Sequence, residues 1–165
     1  MKTVKGLLRD SRGFTMLELM LVLIVGAVLV GGALYAYSRV ESTQWINKNT
    51  DNILQAVMII ENVKGMRSGT LPAQATAIAL NNDSSPFRNY IGSTTADLSE
   101  ITYRCTAATP GSVILTFTTA TAPNENVING LREAVASKLT APKYTVGAVS
   151  GGNSFTVTMT VPSCA

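Results

Sequence analysis

The residue most open to a chemical role is Glu18, a carboxylate at the head of a run, Leu19 to Tyr37, that contains no charged side chain. In hydrocarbon such a group costs about 2.5 to 3.5 kcal/mol at mid-membrane on insertion scales, which makes it a functional candidate by default. The plainer alternative is that Glu18 lies near the membrane edge, reaches water and only sets where the span begins. The other reactive pair is Cys105 and Cys164, whose separation is that of neither a zinc site nor a CxxC redox motif. Catalysis has little to draw on. The chain has no histidine, which removes Ser-His and Cys-His nucleophiles and every histidine metal site. Gly151-Gly152-Asn153 lacks the lysine and following helix of a phosphate loop, and Asn81-Asn82-Asp83 lacks the alternating ligands of a calcium loop. We therefore expect no enzyme, no metal and no cofactor. The chemistry on offer is charge pairing and a disulfide.

Those residues need elements to hold them. The apolar run is close to the roughly 20 residues that a bilayer core requires. It is followed by Ser38-Arg39-Val40-Glu41, not by the small residues of a secretory cleavage site. Lys2, Lys5, Arg9 and Arg12 precede the run, against Asp10, so the N-terminus is expected to stay in the cytoplasm and the remainder to be exported. Those residues also carry the whole excess of the +3 net charge. The near-neutral remainder argues against nucleic acid as a partner. An exported domain with an even cysteine count is usually bridged, and Cys164, as the penultimate residue, could hardly be held in a core as a free thiol, so Cys105–Cys164 is the expected disulfide.

Helical spacing continues past the apolar run. Val40, Ile46, Ile53, Val57, Ile60 and Lys64 fall on one stripe, with Glu41, Asn47, Lys48 and Asp51 on other faces. One helix from near Phe14 to about Lys64 would be about 75 Å long. Gly65, Gly69 and Pro72 are expected to end it. Tyr35, Tyr37 and Trp45 read as outer-interface anchors, and Gly26, Gly31 and Gly32 as points of close helix approach or ordinary membrane-helix composition. From Pro72 to Glu100 we expect a surface connection with a short helix over Ala75–Leu80 and a turn cluster at Asn81–Pro86. Strands are expected at Ile101–Thr106, Ser112–Thr119, Tyr144–Val149 and Ser154–Val161, with turns at Pro110-Gly111 and Gly151-Gly152-Asn153. A helix over Asn126–Leu139, capped by Asn124 and stopped by Pro142, lies between the strand pairs. The class is α+β: a long N-terminal helix packed on a small antiparallel sheet.

Gly13-Phe14-Thr15-Met16-Leu17-Glu18, behind a short basic leader and ahead of the apolar run, resembles the class III signal of type IV prepilins. The resemblance is strong over Gly13–Tyr37 and architectural beyond. It implies a pilin fold, cleavage after Gly13 by a prepilin peptidase, N-methylation of Phe14, and an assembly role for Glu18 as the fifth mature residue. The domains it implies are a leader over 1–13, a membrane-spanning and fibre-core half-helix over 14–38, and an exported globular domain over 39–165. The implied partners are further copies in a helical fibre, the peptidase, the inner-membrane assembly machinery, and the membrane before assembly. The precursor would cross the bacterial inner membrane once and the fibre would be extracellular. The span between the cysteines resembles the family's D-region. Two departures bear on subclass: Tyr35 stands where many pilins have proline, and the 13-residue leader lies between the short and long classes. The missing proline and the helix between strands lean towards type IVb, Phe14 towards type IVa; the balance taken here is IVb. The rivals are a type II secretion pseudopilin, a minor or tip pilin with an adhesive role, and an anchored domain that keeps its N-terminus.

Overall fold

The computed structural model describes residues 15–91, 97–106, 111–120 and 124–165. Its first element, α1, is a single helix over Met16–Met66. Thr15 starts it: its hydroxyl accepts the Glu18 N–H at 3.2 Å and its carbonyl the Leu19 N–H at 3.1 Å. The chain divides into two compact units between Val40 and Glu41. In the first, α1 has no proline and no buried residue; only Gly26 is even partly covered. Apolar side chains surround it on every side, so it has no face suited to water. By length and composition it can cross a membrane. At the end of this unit the Arg39 guanidinium donates to the Tyr35 hydroxyl at 2.8 Å and sits 5.4 Å from the Tyr35 ring centre.

In the second unit, Glu41–Ala165, the rest of α1 is one-sided. Ile53, Val57 and Ile60 of the expected stripe are buried, joined by Ala56 and Val63, whereas Glu41, Asn47, Lys48 and Asp51 are exposed. The stripe is shorter than expected, because Val40 is exposed and Lys64 is held half-covered by Glu61. Gly65 lies within the helix. Termination comes from Ser68 and Gly69 in left-handed conformation, φ 54° and 89°, with the Gly69 N–H donating to the Lys64 carbonyl at 2.8 Å. Trp45 corrects its expected place at a membrane interface. Its ring is half-buried edge-on to Phe117, centroids 6.3 Å apart, where its large apolar surface serves the core.

The sheet has five antiparallel strands in the order β2-β3-β4-β6-β5. These are Gln74–Ala79 (β2), Ile101–Thr106 (β3), Gly111–Thr118 (β4), Tyr144–Val146 (β5) and Ser154–Val161 (β6). Alternation puts Tyr103, Cys105, Leu115, Phe117, Phe155 and Met159 against α1, and threonines and serines on the outer face. Helix α3, Glu125–Lys138, is capped by Asn124, whose Oδ1 accepts the Val127 N–H at 3.0 Å; it buries Val127, Ile128, Leu131 and Val135. It ends at Leu139, in extended conformation, before Pro142 is reached.

Three expectations need correction. Ala75–Leu80 is not helical: β2 covers most of it, since pairing of Ile78 with Tyr103 and Ala79 with Thr102 along the open edge of β3 outweighs alanine's helix preference. Residues 72–100 are not merely a surface connection. Leu80, Phe87, Ile91 and Leu98 are buried, Phe87 lies edge-on to Tyr103 at 4.6 Å, and a short helix, α2, spans Arg88–Ile91. The strand expected to Val149 stops at Val146. A second sheet was not expected: β1, Thr70–Leu71, pairs in parallel with β7, Ser163–Cys164. The turn cluster at Asn81–Pro86 is present, as is the Gly151-Gly152-Asn153 turn, with φ 63° and 73° at the two glycines. Pro110 of the other expected turn lies outside the described residues.

Candidate assembly site

Glu18 sits in the first turn of α1, exposed, as do all its helical neighbours to Val25. Gly13 and Phe14, the expected cleavage and methylation positions, lie outside the described residues. Thr15 and Glu18 stand as cap and third helical residue, the spacing of a capping box, a signal written in Thr15-Met16-Leu17-Glu18 that the sequence reading passed over. The cap fixes where the helix begins and so where the carboxylate projects. A negative charge in the first turn also favours the positive end of the helix dipole.

The cysteines are bonded, Cys105 on β3 to Cys164 on β7, with Cα atoms 5.9 Å apart and a sequence separation of 59. Around this bridge the fold leaves no slack. A Cβ added at Gly111 would lie 2.8 Å from the Cys164 Sγ, so only glycine fits at the start of β4. The Ala165 N–H donates to the Leu71 carbonyl at 2.9 Å and the Ala73 N–H to the Ala165 carbonyl at 3.2 Å. The segment leaving α1 is thus fastened through β7 and the bridge to the middle of the sheet.

One ionic cluster escaped the sequence reading. Glu61 on α1 accepts from Lys64 at 3.1 Å and from the Tyr144 hydroxyl at 3.0 Å, and meets Lys143 at 3.1 Å. The Glu61–Lys64 spacing was readable in sequence; the link to β5 was not. Burial of Glu61 favours its neutral acid, but hydrogen bonds from Lys64, Lys143 and Tyr144 together outweigh this and hold the carboxyl below its usual range. A depressed carboxylate pKa stabilises the fold above the unfolded value and loses that contribution as pH falls through the folded one. Glu61→Gln is therefore expected to cost about 1 to 2 kcal/mol at neutral pH. The gap to wild type should narrow as pH falls from about 5 towards 3, below the ordinary glutamate value. Urea unfolding at each pH measures it, and a gap that stays constant with pH would contradict the assignment.

Among the described residues no group of three or more His, Cys, Asp or Glu side chains could hold a metal ion. What the described features supply is an exposed apolar stem with a capped, charged head and a bridged domain. Residues 8–34 match the family model described as the prokaryotic N-terminal methylation motif. Neither a curated protein nor a solved structure matches the chain.

Proposed function

We propose that this chain, a type IV pilin-like prepilin by the methylation motif at residues 8–34, is a structural fibre subunit of a type IV pilus and not an enzyme. A prepilin peptidase cuts after Gly13, the new amine of Phe14 is methylated, and the inner-membrane assembly machinery draws the subunit from the bilayer into an extracellular fibre. The observation that carries this reading is the coincidence of that motif with Glu18 at the head of an uncharged helix.

Cleavage leaves a cation on Phe14 four residues ahead of the Glu18 carboxylate. Either charge alone is costly in lipid, and both are relieved when the carboxylate of one copy meets the amine of its neighbour. Apolar stems pack in many registers; a charged pair selects one. Two measurements test the reading. Mass spectrometry of the purified protein should find a chain beginning at methylated Phe14, and the same chain should dominate sheared surface filaments. A mature chain that still carries its first thirteen residues, in cells with an active peptidase, would overturn it.

A further inference from the structure

The compact unit Glu41–Ala165 has no net charge. Setting aside Lys2, Lys5, Arg9, Arg12 and Arg39 from the 13 basic residues, and Asp10 and Glu18 from the 10 acidic ones, leaves eight of each in Glu41–Ala165. They are not mixed. At the Glu41 end of α1, Trp45 touches Phe117 near the end of β4, Phe117 touches Phe155 near the start of β6, and a Cβ on Gly130 of α3 would lie 3.3 Å from Ile46. At the Met66 end, β1 pairs with β7, Cys164 binds Cys105 at the end of β3, and Glu61 binds Lys143 just before β5.

Placed on that frame, the charges separate. Glu41, Glu125 in the first turn of α3, Glu100 beside Thr119, and Asp97, in the turn whose Leu98 carbonyl accepts the Ile101 N–H at 3.2 Å, gather at the Glu41 end, where Lys48 is the one base of this unit set against them and Arg39 lies two residues before Glu41 on the same helix. Lys64, Arg67, Lys143 and Arg104, next to Cys105, gather at the Met66 end against Glu61. The rest lie between the ends with no net charge: Asp83 meets Arg88 at 3.3 Å, Asp51 meets Lys138 at 3.9 Å, and α3 carries Arg132, which donates to the Gly147 carbonyl at 2.9 Å, and exposed Glu133. Each end thus has four charges of one sign against one of the other.

We propose that the acidic Glu41 end of one copy's exported unit docks on the basic Met66 end of the next copy. The inference rests on the fibre-subunit reading and names the domain surfaces that join copies. A polyanion or an anionic lipid surface would suit one end and be repelled by the other; a second copy in the same orientation suits both. Such a head-to-tail contact does not close on itself and so propagates as a filament. The charges are largely exposed, so they set orientation and rate of docking more than affinity, and salt weakens them.

The test uses the full chain in its native host. Arg67→Glu with Arg104→Glu, and separately Glu41→Lys with Glu125→Lys, should each cut the yield of sheared filaments about tenfold or more, since like charges then face each other. All four changes together should restore the yield to within about threefold of wild type. Unchanged yield from either pair, or a fourfold variant as defective as the pairs, overturns the proposal. A second readout does not need surface filaments. Membranes carrying Arg67→Cys with Glu125→Cys, treated with a bifunctional thiol reagent, should give a ladder beyond dimers, and each single variant dimers at most. Wild-type cells without filaments would sink the fibre reading, whereas absence of the ladder would sink the contact.

Discussion

A chain with Glu18→Ala is expected to be cut after Gly13 and to insert normally, yet to yield filaments reduced about a hundredfold or more. Removing one partner of a desolvated charge pair leaves the other uncompensated, at a cost of about 3 to 5 kcal/mol. Applied to each addition of a subunit, that is a factor of roughly 10² to 4 × 10³ in the equilibrium. Insertion should be unharmed, because alanine is cheaper in hydrocarbon than a carboxylate.

The capping geometry supplies a rival cause that must be separated. Thr15 accepts the Glu18 N–H, and glutamate at that position can serve the helix end itself. Glutamine serves a capping box as well as glutamate does but has no charge. Glu18→Gln should therefore keep the start of α1 and still fail to assemble, measured as filament protein in sheared fractions against membrane-inserted chain. Normal fibres from Glu18→Gln would move the role of Glu18 from charge pairing to helix capping.

What the sequence made legible was whatever has a period or a local partner. The long helix, the alternating strands β3, β4 and β6, and the Asn124 cap each repeat a spacing or satisfy a nearby backbone group. β2 was misread because Gln74–Ala79 pairs with β3 far along the chain, and no local preference encodes an edge. β1 and β7, two residues each, are too short for any pattern. Trp45 was misplaced for a related reason: an aromatic just past a membrane run looks the same whether lipid or Phe117 receives it. The methylation motif that contains Glu18 was legible because its residues are consecutive. The Glu61 cluster and the two charged ends were not, because they exist only once strands distant in sequence are side by side.

Loss of the bridge is the second large effect expected. Cys164→Ser should lower the unfolding free energy of the Glu41–Ala165 unit by about 4 kcal/mol, the chain-entropy value for a loop of this length. The geometry says where the loss begins. β7 is held by a two-residue parallel pairing with β1 and by the Ala165 and Ala73 amide bonds, too little to stay closed alone. Without the bridge, the amides of Ala73 and Ala165 should exchange with solvent at rates approaching those of open chain. Those within β3 and β4, which pair along their whole length from Ile101–Phe117 to Thr106–Ser112, should keep slow exchange until the unit unfolds as a whole. The end of α1 should loosen with β1, because Pro162 lies against Gly69 at the turn that terminates the helix. If instead the Cys164→Ser chain kept protection at Ala73 and Ala165 and its urea midpoint did not fall, hydrogen bonding and apolar contact would hold the C-terminal strand, and the bridge would add nothing to the fold.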